Sequence, residues 1–160
     1  MYSIKVNISK QLLTLHDDKN AIVAEYPVST SKYGIGSEDG SYKTPLGHHQ
    51  ICEKIGEGKD LDEVFIGREP KGRLADLKSQ EIDLPEDIIT ARILRLQGME
   101  AGLNQGGGID SFERYIYIHG TSDESNISKP VSHGCIRMRN IDVISLYDKV
   151  DLDTDVLIEE

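Results

Sequence analysis

The chain has 160 residues and carries 18 Lys and Arg against 28 Asp and Glu, a formal net charge of −10. That balance argues against a nucleic-acid binder, whose phosphate contacts require a basic face, and against docking on an anionic membrane surface. Hydrophobic residues at 38% and charged residues at 29% are ordinary for a globular protein, the length suits one domain over residues 1–160, and no run approaches the ~18–20 apolar residues of a membrane span.

Met1-Tyr2-Ser3-Ile4-Lys5-Val6-Asn7-Ile8 alternates from the start. Ile4, Val6 and Ile8 face one way and Lys5 and Asn7 the other, which predicts a strand with one buried face. Ser9-Lys10 turns into a second strand, Gln11 to Leu15, and Asp17-Asp18-Lys19-Asn20 turns into a third, Ala21 to Ser29. Residues 31–42 hold Gly34, Gly36 and Gly40 among polar residues and read as loop. A strand follows Pro45, from Gly47 to Glu53. The stretch 54–87 is polar and broken by Gly and Pro, and reads as irregular with a short helix near 73–80. Ile88 to Leu96 is a further strand, 98–110 is a glycine-rich loop, and Ser111–Arg114 suits a short helix. The strongest helix signal follows residue 139. Asn140 suits an N-cap and Asp142 the positive end of the dipole, with Val143, Leu146, Tyr147 and Val150 on one stripe. Asp155 to Ile158 closes the chain as a strand. Many short strands and one clear helix predict a mainly β domain.

The chemistry concentrates in Ser132-His133-Gly134-Cys135-Ile136-Arg137, with His119 sixteen residues before Cys135 at the end of the alternating run Tyr115–His119. A thiol is mostly protonated near neutrality, and an adjacent imidazole that takes its proton makes it a nucleophile. Gly134 lets the backbone bend beside it. His119 falls on the face of its strand opposite Ile116 and Ile118, away from the apolar side. The backbone N–H groups of Gly134 and Cys135 are the natural donors to a developing oxyanion. His133 shapes the loop and is the rival proton acceptor. For Cys52, without such neighbours, a small buried hydrophobe is the plain reading, and two cysteines make no disulfide framework. His48, His49 and Cys52 do not share a strand face, so they predict no metal site, and Gly106-Gly107-Gly108 lacks the Lys-Ser/Thr of a phosphate loop. No cofactor is implied.

His119, the gap, and Ser132-His133-Gly134-Cys135 followed by a hydrophobe and Arg137 resemble the catalytic signature of the L,D-transpeptidase (YkuD-type) family. Thr44-Pro45-Leu46-Gly47 and the opening hairpin from Ile4 to Thr30 are similar to that family as well. The resemblance implies a sandwich-like or barrel-like β fold, Cys135 as nucleophile and His119 as base. It implies the Gly120 carbonyl as orienter of His119, with Asp123 as the alternative, and Arg137 as a substrate contact or a brace of the loop. Tyr33, Tyr117 and Arg68 are permitted as cleft residues. The implied partners are peptidoglycan stem peptides, acted on by hydrolysis (L,D-carboxypeptidase) or by cross-linking. A start directly in a strand, with no basic and apolar leader, suggests cytoplasmic residence and hence hydrolysis of recycled peptides. The polar stretch 53–87 would then cap the cleft.

Overall fold

The computed structural model describes residues 1–160. Strands β1 (Ser3–Asn7) and β2 (Leu12–His16) pair antiparallel with Ile4 opposite Leu15 and Val6 opposite Leu13. The alternation therefore places four aliphatic side chains on one face, where cross-strand neighbours pack directly. The chain continues through β3 (Ile22–Ser29), β4 (Gly47–Ile55), β5 (Glu63–Ile66), β6 (Glu69–Arg73), α1 (Leu74–Ser79), β7 (Ile89–Gly98), β8 (Tyr117–Thr121), β9 (Ile136–Met138), α2 (Asn140–Lys149) and β10 (Asp155–Glu159). All ten strands form one sheet, in the order β4-β10-β1-β2-β3-β9-β8-β7-β5-β6. Strand β4 also pairs with β7, so eight strands close on themselves and the β5–β6 hairpin hangs from the outside of β7. Closure removes the unpaired edges that an open sheet would leave. The neighbours β1/β10 and β8/β9 are parallel and the others antiparallel. No helix is long and apolar enough to cross a membrane.

The core fills the closed sheet. Ile4, Val6, Leu13, Leu15, Val28, Leu94, Leu96, Ile118, Ile136 and Met138 meet Val143, Leu146, Tyr147 and Val150 of the helix stripe. Lys54 Nζ donates to the carbonyls of Tyr147 at 2.9 Å and Val150 at 2.6 Å, supplying partners the helix end lacks. A second, smaller cluster lies outside the ring, where Phe65 from the hairpin packs on Ile93 and Tyr117, with Cys135 at its margin.

Three sequence expectations are corrected. Asn140 is the first helical residue and not the cap. Its side chain points inward, accepting from Thr90 Oγ1 at 2.6 Å and donating to the Thr121 carbonyl at 3.1 Å, because those buried groups need partners. The irregular stretch 54–87 contains the β5–β6 hairpin as well as α1. Residues 111–114 make a single turn, with Arg114 N–H on the Asp110 carbonyl, which Tyr115 ends at φ 57°.

His49 on β4 is 1% exposed. Its Nδ1 lies 3.0 Å from the Gly47 carbonyl, which can only accept, so Nε2 takes the Ser111 hydroxyl at 2.8 Å. Burial pulls its pKa down to about 4. The unfolded chain, with His49 near 6.5, then binds a proton that the folded chain refuses between those values. The resulting stability is complete above pH 6.5 and lost as pH falls to 4, worth about 3 kcal/mol. Denaturant unfolding of His49→Gln, compared with the parent at several pH values, should show a shallower acid decline in that window. Parallel profiles would contradict the assignment.

Candidate active site

Strands β8 and β9 set the site. Their parallel register pairs Ile118 with Ile136, His119 with Arg137 and Gly120 with Met138. Ile118, Ile136 and Met138 enter the core, so Tyr117, His119, Cys135 and Arg137 share the opposite face. The sequence places His119 away from the apolar side, and it is. That outer face is partly covered as well, however, because Phe65 packs on Tyr117 and Asp87 meets Arg137. His119 is 0% exposed.

His119 Nδ1 lies 2.6 Å from the Gly120 carbonyl. A carbonyl only accepts, so Nδ1 carries the hydrogen and Nε2 keeps its lone pair. Nε2 is buried and has no hydrogen-bond partner. Burial holds the imidazole pKa below its ordinary value, against the pull of Asp87 and the Gly120 carbonyl. Asp123, the alternative orienter, instead accepts from Asn126 Nδ2 at 3.0 and 2.9 Å. Gly120 itself has no room for a side chain: a Cβ there would overlap Asn140 Oδ1 and the Thr90 carbonyl.

Cys135 Sγ accepts the Tyr117 N–H at 3.3 Å and reaches the Tyr115 carbonyl at 3.3 Å. Burial pushes the thiol up to about 12, with the Tyr117 N–H pulling the other way. The sequence suggests a ready thiolate, whereas burial of both groups favours the neutral thiol and neutral imidazole over the ion pair. Packing of Cys135 against Phe65, Ile93 and Tyr117 desolvates one side of the sulfur, while the residue stays partly exposed on its cleft.

The loop carrying Cys135 is tightly held. Ser132 Oγ donates to the Cys135 carbonyl at 2.6 Å and accepts the Gly134 N–H at 3.2 Å. Thr44 Oγ1 donates to the Gly134 carbonyl at 2.9 Å and accepts the Ser31 N–H at 3.0 Å. Gly134 sits at φ +122°, in the left-handed region, with the Lys43 carbonyl 3.2 Å from where a Cβ would be. The Thr44-Pro45 fragment is thus the support of the Cys135 loop. The Gly134 N–H, expected as an oxyanion donor, is engaged by Ser132, while the Cys135 N–H makes no backbone hydrogen bond.

The Arg137 side chain is 7% exposed. Its Nη2 lies 2.9 Å from Asp87 Oδ1 and its Nη1 3.9 Å from Asp123 Oδ2. Asp87 Oδ2 is also 3.7 Å from His133 Nδ1. Asp87, at the end of the 54–87 segment, carries no sequence signal for this placement. His133 is half-buried, with Tyr33 and Tyr42 rings 6.3 and 5.9 Å away. It stands between two clefts. One, of about 370 Å³, is lined by Tyr42, Arg114, Tyr115, Ile116 and Cys135. The other, of about 190 Å³, is lined by Lys32, Glu86, Asp87, Asp123 and Arg137. Tyr117 is buried and receives Arg68 Nη1 on its hydroxyl at 3.0 Å. His48 is exposed, His49 is held by Ser111, and Cys52 occupies a bulge of β4 with its thiol toward the Arg95 carbonyl, so these three do not converge.

A closed β sheet with thiol and imidazole on one face of a parallel strand pair defines the architecture. The model of the YkuD family, the L,D-transpeptidase catalytic domain, matches residues 1–158, and the chain belongs to that family. YqjB of Bacillus subtilis is 46% identical over 47 residues, covering 29% of this chain and 27% of YqjB. YkuD of Bacillus licheniformis is 42% identical over 60 residues, covering 34% of this chain and 36% of YkuD. Among solved structures, L,D-transpeptidase 3 from Mycobacterium tuberculosis with a faropenem-derived adduct superposes with a TM-score of 0.59 at 17% identity, over 99% of this chain and 60% of that one. An L,D-transpeptidase from Mycobacterium smegmatis gives a TM-score of 0.58 at 16% identity, over 99% of this chain and 58% of that one. The chain therefore spans about a third or less of the curated relatives and under two thirds of these structural ones. The structural likenesses establish the fold.

Proposed function

We propose that this chain is a cysteine acyl transferase acting on peptidoglycan stem peptides, at the bond between the L-centre of the diamino acid and a terminal D-alanine. The observation that carries the reading is the His119 imidazole, tied through Nδ1 and leaving a buried, unpartnered Nε2 on the face that bears Cys135. His119 Nε2 takes the Cys135 proton as sulfur bonds to the carbonyl carbon. The tetrahedral oxyanion is met by the Cys135 N–H. The C–N bond then breaks, His119 returns the proton to the departing amine, and D-alanine leaves a thioester. Water, deprotonated by His119, releases the tripeptide and restores the thiol. Arg137 braces the loop through Asp87 in this scheme. Residence in the cytoplasm, with soluble turnover peptides as substrates, belongs to the same reading.

A second reading has one observation in its favour. Glu86 on the wall of the smaller cleft, where Asp87 and Asp123 already face Arg137, is a carboxylate placed to receive an amine that would resolve the thioester into a cross-link. Incubation with muropeptide tetrapeptide, read by mass spectrometry, should give tripeptide and D-alanine as main products. Dimers as main product would favour cross-linking, and intact substrate in the presence of folded protein would overturn both. Cell fractionation tests the location.

A further inference from the structure

The proposed substrate ends in a free carboxylate one residue beyond the attacked carbonyl, so something near Cys135 must receive that charge. Arg137 already has Asp87 at 2.9 Å and is 7% exposed. Arg95 is paired with Glu53 at 2.7 Å. Arg68 donates to Tyr117 and does not line the cleft that contains Cys135.

Arg114 does line it. Its partners are all neutral: Nη1 donates to the Gly36 carbonyl at 3.3 Å, and Nη2 to the Lys43 carbonyl at 2.7 Å and Ser41 Oγ at 3.5 Å. No carboxylate lies within ion-pair distance. Asp39 lines the same cleft, and it and Glu38 act on Arg114 from beyond ion-pair distance. Two of its five N–H groups remain without a partner. A half-buried guanidinium without a counterion is an incomplete arrangement, since desolvating a charge is costly unless an opposite charge returns the loss. The Gly36–Lys43 loop that orients it adjoins Thr44, which pins Gly134, so guanidinium and thiol are held by one piece of backbone.

We propose that Arg114 is the anchor for the substrate's terminal carboxylate, which makes the site select peptides with one free residue beyond the attacked bond and reject their C-terminal amides. This rests on the acyl-transfer reading above. A guanidinium gripping a carboxylate through charge-assisted bonds contributes on the order of 10- to 100-fold in affinity.

Two measurements test it. In the first, kcat and KM are compared for tetrapeptide acid and tetrapeptide amide. The parent should favour the acid by on the order of 10- to 100-fold. Arg114→Gln should lose that preference through KM for the acid, and Arg114→Lys should retain part of it. The second does not depend on the peptide being a substrate. Cys135 alkylation by iodoacetate relative to iodoacetamide should fall about tenfold in Arg114→Gln and much less in Arg114→Lys. In the unaltered protein, D-alanine should slow iodoacetamide labelling of Cys135 and D-alaninamide should not, which gives a result even if Arg114→Gln does not fold. An unchanged alkylation ratio in folded Arg114→Gln, or equal protection by D-alanine and its amide, overturns the anchor. An altered ratio with no peptide cleavage by the parent keeps the anion site and sinks the proposed substrate.

Discussion

Cys135→Ala should lower turnover of the tetrapeptide by about 10⁴–10⁶, the scale on which losing a nucleophile collapses a catalytic unit. Cys52 is the one other thiol in the chain. It lies on the β4 bulge with its thiol turned to the Arg95 carbonyl, and burial raises its pKa as well. The fold should survive, because the sulfur contributes only the weak contacts to Tyr117 N–H and the Tyr115 carbonyl. Cys135→Ser keeps an acceptor for that N–H and gives a second variant with little change in packing. A carbapenem should add one adduct to the parent by intact mass and none to Cys135→Ala, while Cys52→Ser keeps both the adduct and the activity. Turnover within about a hundredfold of the parent in a folded Cys135→Ala, or an adduct that persists there, would place the chemistry elsewhere.

What the sequence shows well is what is local. Period-2 alternation locates β1, β2 and β3 within a residue or two, and the Val143–Leu146–Tyr147–Val150 stripe locates α2, because both patterns need only neighbours along the chain. The Ser132–Arg137 segment is equally visible, since its residues must stand together to form one loop. Strand β6 is not. Glu69-Pro70-Lys71-Gly72-Arg73 has no apolar alternation and forms because β5 and the Glu63 carboxylate, 2.6 Å from the Gly72 N–H, supply its partners. The state of the thiol is illegible for the same reason. It depends on Phe65 and Tyr117 closing over the outer face, and Asp87 meets Arg137 across fifty residues of chain. Asn140 carries a genuine capping preference that tertiary demand overrides, as Thr90 and Thr121 need its amide inside.

His119→Ala should cost at least about 10³ at pH 7 and should also change the form of the pH dependence. In the parent, burial holds the imidazole below its ordinary value of 6.5, so it stays unprotonated through neutrality and gains a proton only in acid. Activity should therefore be level from neutral to moderately alkaline pH and decline only below 6.5. The thiol, pushed up to about 12, adds no limb in that range, because its proton is removed in the attack and not beforehand. Without His119 the route left is the pre-formed thiolate, a small fraction of a thiol that burial holds above its ordinary range. The residual rate of His119→Ala should then rise close to tenfold per pH unit from 7 to 10, where the parent is flat. A bell-shaped parent profile, with activity lost again on the alkaline side as an imidazolium gives up its proton, would mean that thiolate and imidazolium already exist as a pair before substrate arrives. A variant within tenfold of the parent and equally flat would transfer the base role to His133, which stands half-buried beside the same cleft with Asp87 3.7 Å from its Nδ1.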